Sequence, residues 1–90
     1  MTSLVEYRRW AKEHPNFMTP HIVKLTSKGN TIVEISRGTD FNDKPIYGVT
    51  KVKYDNGKYI IQSHVNKCFQ GTDSRTNAFK YAKKVLAGAN

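Results

Sequence analysis

The feature that most limits the possible folds is a row of short strand-like runs that ends in one amphipathic helix, between residues 46 and 86. The runs are rich in β-branched and aromatic residues, and Asp55-Asn56-Gly57 separates the first two with a typical hairpin turn. The third run ends at Gly71, where a helical pattern begins. The three runs are residues 46–54, 58–65 and 67–70. We therefore expect a small three-stranded antiparallel sheet that packs on one helix.

The pattern after Gly71 predicts a C-terminal helix with clear boundaries. Thr72 or Asp73 can cap its N-terminus, and Gly88 stands where a left-handed residue commonly ends a helix. Apolar residues recur at three- and four-residue spacing between these positions, so one side of the helix is apolar. This stripe consists of Ala78, Phe79, Ala82, Val85 and Leu86. We expect it to cover the apolar side of the sheet.

A second helix is predicted near the N-terminus. Ser3 and Glu6 have the spacing of a capping box, in which the serine hydroxyl accepts from the amide of the glutamate. An apolar stripe that includes Tyr7 and Trp10 follows at helical spacing, and Pro15 ends the pattern. Because Trp10 belongs to this stripe, we interpret it as a packing residue and not as a surface for base stacking.

Residues 21–36 predict a β-hairpin. Two β-branched runs flank a turn at residues 27–30, which contains a Gly-Asn pair. We expect Val23 and Leu25 to oppose Val33 and Ile35 on one side of this hairpin, and the hairpin to extend or cover the main sheet.

These elements predict one α+β domain over residues 1–90. Its order is an N-terminal helix, a β-hairpin, and then the three-stranded antiparallel sheet packed on the C-terminal helix. A chain of 90 residues is too short for two separate cores. Residues 1–45 would form a helix and hairpin extension, and residues 46–90 would form the sheet–helix core.

The charge of the chain favours a polyanionic partner. There are 15 Lys and Arg residues against 7 Asp and Glu, which gives a formal net charge of +8. Residues 1–45 carry a net +2, whereas residues 46–90 carry a net +6, with 8 basic and 2 acidic side chains. Such a field attracts nucleic acid because each neutralised phosphate releases counterions. A basic surface that only aids solubility is the alternative.

Several other classes of protein are not indicated. The single Cys68 cannot form an internal disulfide, and there is neither a signal-peptide pattern nor an apolar run long enough for a membrane span. We therefore expect a cytoplasmic protein without membrane contact. His14, His21 and His64 lack the close Cys or His partners of a zinc site, and no nucleophile or carboxylate pair has the spacing of a catalytic centre. We expect no cofactor, no metal and no enzymatic activity.

Residues 46–87 resemble a known family, the AP2 DNA-binding domain. The resemblance lies in the order of three short motifs and the helix that follows them. In that family the exposed face of the sheet lies in the major groove, and its side chains reach bases and phosphates. The matching motifs are Tyr47-Gly48-Val49, Asn56-Gly57-Lys58-Tyr59, Phe69-Gln70-Gly71-Thr72, and Ala78, Tyr81 and Ala82 in the helix.

The resemblance implies specific site residues. Gln62 and His64 fall where the family has groove-facing side chains on its second strand. Thr50 falls at a groove position of the first strand, and Phe69 falls where the third strand begins. Together with the basic residues of this region they make up the predicted nucleic-acid site. The predicted phosphate contacts are Lys51, Lys53, Lys58 and Arg75, and the predicted base contacts are Thr50, Gln62 and His64.

The leading functional hypothesis is therefore a small nonenzymatic DNA-binding protein that uses the exposed face of a three-stranded sheet. Two alternatives remain open. The hairpin of residues 21–36 could offer a strand edge to a protein partner, as in a phage-type accessory or inhibitor protein that binds a host protein. The order helix, strands, helix also resembles the double-stranded-RNA-binding domain.

Overall fold

The computed structural model describes residues 3–16 and 18–89. It confirms the α+β class, with an N-terminal helix, an antiparallel sheet and a C-terminal helix. Of the helices described, neither is long and apolar enough to cross a membrane. The elements are helix α1 (Leu4–Glu13), strands β1 (His21–Lys28), β2 (Thr31–Thr39), β3 (Pro45–Asp55), β4 (Lys58–Ile61) and β5 (Lys67–Gln70), and helix α2 (Ser74–Ala87).

All strands belong to one antiparallel sheet in the order β1-β2-β3-β4. Strand β5 also pairs with β3, so β4 and β5 share the same edge of that long strand. Strand β4 pairs with residues 52–55 of β3, and β5 pairs with residues 46–49. The predicted hairpin of residues 21–36 therefore extends the sheet. Strand β3 is central, because β2 pairs with one of its edges and β4 and β5 pair with the other.

The second predicted strand is shorter than expected, because β4 ends at Ile61. The backbone N–H of Gln62 donates to the carbonyl of Lys51 at 2.8 Å, and the N–H of Lys51 donates to the side-chain oxygen of Asn66 at 3.1 Å. These two bonds use the backbone C=O and N–H of Lys51, with which a longer β4 would have paired. Residues 62–66 consequently form a turn, and His64 lies on this turn and not on a strand.

The register of the β1–β2 hairpin differs from the expected one. Leu25 pairs with Glu34 and Lys24 pairs with Ile35, so Leu25 does not oppose Val33 or Ile35. The reason is that Lys28 pairs with Thr31 across a turn of two residues, whereas a pairing of Leu25 with Val33 would need a loop with an odd number of residues. The register also shifts between residues 22 and 24.

Helix α1 covers one face of the sheet. The Ser3 hydroxyl accepts from the N–H of Glu6 at 3.3 Å, which confirms the predicted cap. Tyr7 and Ala11 are buried against the side chains of Ile32 in β2 and Val52 in β3. Trp10 is half-buried at the border of this cluster, with its ring centre 5.1 Å from that of Tyr59, so its interpretation as a packing residue is also confirmed.

Helix α2 covers the opposite face. Ala78 and Ala82 are buried against a cluster from β2 and β3, which consists of Val33, Ile35, Tyr47 and Val49. Successive strand residues point to opposite faces, so Ile32 faces α1 while Val33 faces α2. This arrangement buries residues 31–36 of β2 without interruption. The sheet is thus the middle of three layers, which the sequence pattern alone did not reveal.

The ends of α2 differ from the expected caps. Asp73 is the N-cap residue, but its side chain makes no capping hydrogen bond. Gly88 ends the helix with φ −84°, which is not a left-handed conformation, and its N–H donates to the carbonyls of Lys84 and Leu86. The helix therefore ends through backbone bonds that do not depend on the freedom of a glycine.

The segment after α1 covers more of the α1 side of the sheet. Thr19 and Ser36 are both buried, and their hydroxyl oxygens are 2.7 Å apart. At Gly38 a Cβ atom would lie 1.9 Å from the carbonyl oxygen of Met18, so only glycine permits this approach. The expected exposed sheet face is therefore not open over β2 and β3, because α1 and residues 18–20 pack on it.

Candidate nucleic-acid interface

Most of the 15 Lys and Arg side chains lie on the α2 side of the molecule. The register explains why: Lys51 pairs with Val33, and Lys53 pairs with Thr31 two residues along, so both lysines share the face that α2 covers. The α2 lysines and arginine are exposed on the same side. We call this surface the basic face; it comprises Lys24, Lys28, Arg37, Lys51, Lys53, Lys58, Lys67, Arg75, Lys80, Lys83 and Lys84.

The 7 Asp and Glu residues lie mostly elsewhere. Glu6 and Glu13 are on α1, and Glu34 is buried on the α1 side of the sheet. The loop between β2 and β3 carries two more. The remaining two lie at the margin of the basic face: Asp55 at the end of β3, and Asp73 at the N-terminus of α2. The two sides of the sheet therefore differ in charge, and the α2 side is strongly positive.

A groove runs between β1 and α2 within the basic face. Its volume is about 450 Å³, and we call it the β1–α2 groove. Ile35, Phe79 and Leu86 contribute to an apolar floor. The cations at its rim are Lys24, Arg75, Lys80 and Lys83. The lining that the described residues form contains no carboxylate, so the groove suits an anionic ligand with an apolar part.

Two of these cations lie over the ring of Phe79. The guanidinium carbon of Arg75 is 4.8 Å from the ring centre, and the Lys24 ammonium is 5.7 Å from it. Both distances fall in the range of cation–π attraction. Because Lys24 comes from β1 and Arg75 from α2, these contacts bring the charges of two distant segments to one aromatic residue.

The other flank of α2 positions the turn of residues 62–66. The Tyr81 hydroxyl donates to the carbonyl oxygen of Val65, and the Lys67 ammonium is 5.2 Å from the centre of the Tyr81 ring. His64 is exposed in this turn. Gln62 is half-buried, and its side-chain amide donates to the carbonyl of Ile60 at 3.3 Å. His64 is thus held beside the basic face with its side chain accessible.

The structure separates the predicted site residues into two groups. The four predicted phosphate contacts lie on the basic face, although Lys51 is only half-exposed. Thr50 is only 6% exposed and pairs with Glu34 on the α1 side, so its side chain does not reach the surface. Phe69 is half-buried against the α2 core, with its ring centre 5.8 Å from that of Tyr81. Thr50 is therefore not accessible as a ligand contact, whereas Phe69 is partly exposed.

Sequence reasoning did not select Lys24, Lys80, Lys83 or Phe79 as site residues. The lysines of α2 could have been found, because they lie opposite the apolar stripe at helical spacing. Lys24 could not, because the face of a strand lysine depends on the register of its hairpin. Phe79 belongs to the predicted core stripe, and only the position of β1 leaves part of its ring facing a groove.

On the α1 side a buried polar pair lies under the helix. The Tyr7 hydroxyl donates to Oε1 of Glu34 at 2.9 Å. Burial raises the pKa of the Glu34 carboxyl, while the hydrogen bond from Tyr7 and the charge of Arg8 oppose this rise. Burial and the neighbouring Glu34 raise the pKa of Tyr7 as well, so the tyrosine stays a hydrogen-bond donor. The pair joins α1 to β2.

Comparison with known proteins finds no matching family model and no significant match to a curated protein or a solved structure. The resemblance to the AP2 domain therefore stays a prediction that rests on the motifs quoted above. Within residues 3–16 and 18–89, no three His, Cys, Asp or Glu side chains come together in a group that could hold a metal ion.

Proposed function

We propose that this protein is a nonenzymatic module that binds duplex nucleic acid, with DNA favoured over RNA, through its basic face. The observation that carries the proposal is the unequal distribution of charge, which concentrates the cations on the α2 side and leaves most carboxylates elsewhere. A surface of this kind binds the phosphate backbone by releasing condensed counterions. The preference for DNA rests on the AP2-like motifs.

The phosphate contacts in this proposal come from the sheet and from α2. Lys53 and Lys58 are exposed on the strands, and Lys80 and Lys83 are exposed on the helix. Lys51 and Arg75 complete the set. Lysines on a strand are often merely solvated, but that reading does not explain why helix and strands present the same charge on one side. Six such contacts would lower affinity by about 10³-fold between 50 and 200 mM salt.

His64 is the strongest candidate for a base contact in this proposal. It is exposed, and the bond from Tyr81 to Val65 supports the turn that carries it. Gln62 is a weaker candidate because its amide already donates to Ile60. Thr50 is left out of the proposed interface because it is buried, and Phe69 is left out because its ring packs beside Tyr81 and lines no part of the β1–α2 groove.

The test compares two double variants that remove the same charge from opposite sides of the molecule. K80Q/K83Q removes two cations from α2, and R9Q/K12Q removes two exposed cations from α1. Affinity for a labelled DNA duplex is measured by fluorescence anisotropy over a range of salt concentrations. The first variant should lower the slope of log K against log salt by about 2, since each phosphate contact contributes about 1.

The control variant should retain the slope of the native chain. Equal decreases of this slope in both variants would mean that net charge alone governs binding and would contradict the proposed interface. No binding of duplex DNA at low salt would reject the function itself. Duplex RNA in the same titration tests the RNA-binding alternative, which predicts a higher affinity for duplex RNA than for duplex DNA.

A second candidate function is protein binding through the β1–β2 hairpin. The supporting observation is that β1 forms one edge of the sheet, so one side of its backbone has no strand partner among the described residues. Such an edge can accept a strand from another protein. Lys24 and Lys28 on β1 oppose indiscriminate pairing. A complex recovered from a lysate that survives nuclease and high salt, and that a V23P variant abolishes, would favour this function over nucleic-acid binding.

A further inference from the structure

The β1–α2 groove has a property that binding of the phosphate backbone of a nucleic acid does not use. Its floor is apolar, with Ile35, Phe79 and Leu86 beneath a rim of four cations. A fully paired duplex presents phosphates, sugars and base edges to a protein surface, but the flat faces of its bases are stacked inside. Such a ligand would neutralise the rim but leave the apolar floor without a partner.

An unpaired nucleotide matches both parts of the groove. It carries a phosphate for the rim and a free base with two apolar faces for the floor. The volume of about 450 Å³ lies within the range of small-ligand sites. The charge of the groove selects this ligand over a neutral apolar one, because the part of the lining formed by described residues has cations and no carboxylate.

We infer that the β1–α2 groove receives one unpaired nucleotide of a nucleic acid that the basic face holds. The base lies against Phe79, and its phosphate lies between Lys80 and Lys83. Arg75 lies over the Phe79 ring, 4.8 Å from its centre, so the base takes the place of the guanidinium on the ring, and the planar guanidinium can then stack on the outer face of that base. This inference rests on the proposed function, and it adds that the preferred ligand is a duplex with an unpaired end or bulge.

Three ligands separate the base from the phosphate. The first is a blunt DNA duplex, the second is the same duplex with an overhang of three nucleotides, and the third carries an overhang of three abasic sites. The second and third have identical phosphates and differ only in the bases. Stacking of one base on an aromatic side chain predicts a gain of at least about fivefold in affinity for the second ligand over the third.

The matched protein variants are F79L and F69L. Both phenylalanines are half-buried and pack on the α2 core, but only Phe79 lines the groove. F79L should bind the normal and the abasic overhang with equal affinity and should still bind the blunt duplex like the native chain. F69L should keep the gain from the bases. Circular dichroism of both variants establishes that they are folded, and K24Q provides a groove variant that does not touch the core.

Three results would overturn the inference. Equal affinity of the native chain for the normal and the abasic overhang would show that the groove reads no base. Retention of the base-dependent gain in F79L would assign it to another surface. Binding of an acidic peptide of Glu and Leu residues in the groove, with no gain from an overhang, would assign the site to a protein ligand. In each case salt-dependent binding of the blunt duplex that K80Q/K83Q weakens would leave the proposed function standing.

Discussion

The hydrogen bond between Tyr7 and Glu34 should be a main determinant of how firmly α1 is attached. The Y7F substitution removes only the hydroxyl that donates to Oε1 of Glu34 at 2.9 Å. The aromatic ring remains, so its packing against Ile32 and Val52 is kept. The carboxyl of Glu34, which is only 6% exposed, then loses this donor without gaining water.

The size of the effect follows from this burial. A hydrogen bond to a charged group contributes about 1.5–3 kcal/mol to stability, and a buried acceptor without a partner retains its desolvation cost. We expect Y7F to lower the free energy of unfolding by about 2 kcal/mol at a pH above the folded-state pKa of Glu34, where the carboxyl is charged. For a domain of this size that corresponds to a fall in Tm of roughly 8–16 °C.

The loss should depend on pH in a defined direction. Burial raises the folded-state pKa of Glu34 above its ordinary value of 4.5, so the folded state binds more protons than the unfolded state between these two values. The contribution of Glu34 to stability is therefore greatest in acid and decreases as the pH rises through the folded-state pKa. The Tyr7 hydroxyl favours the carboxylate form, so the cost of Y7F should be smaller below that pKa and full above it.

The assay is urea unfolding followed by the fluorescence of Trp10, whose ring centre is 5.6 Å from that of Tyr7. E34Q serves as the control because it keeps an acceptor and removes the titration. In the E34Q background, Y7F should cost only about 1 kcal/mol and show no pH dependence in this range. A loss of stability below about 0.5 kcal/mol at every pH in the otherwise native chain, or the same loss in both backgrounds, would refute this account of the pair.

Two further changes test the architecture. G38A should destabilise the fold by about 2 kcal/mol or more, since its Cβ would lie 1.9 Å from the Met18 oxygen, whereas G88A should be nearly neutral, because its Cβ would be 3.7 Å from the nearest atom. Thermal unfolding measures both, and similar effects would contradict the close approach at Gly38. Y81F should accelerate hydrogen exchange in residues 62–66 by at least about fivefold, because that turn loses its bond from Tyr81. Unchanged exchange would show that other contacts hold the turn.

Much of the candidate site could be predicted from charge, but its boundary could not. The excess of Lys and Arg after residue 46 is visible in the sequence, and Lys53, Lys58 and Arg75 are exposed as expected. Thr50 was selected by its place in a motif, and the motif does not say that α1 covers that face. Lys24 joined the site only because the two-residue turn pairs it with Ile35 on the α2 face, whereas the expected opposition of Leu25 to Val33 would have placed it on the other face.

The sequence by itself determined the elements: the cap at Ser3, the two apolar helix stripes, the strand-like runs and the net charge of +8. These depend on neighbours within a few residues, so local patterns contain them. Only the tertiary structure decided that the helices lie on opposite faces and that the cations gather on one of them. An apolar stripe shows that a helix must be covered, but it does not specify which face of the sheet covers it. That choice depends on strand order and register, where a slip of one residue exchanges the two faces.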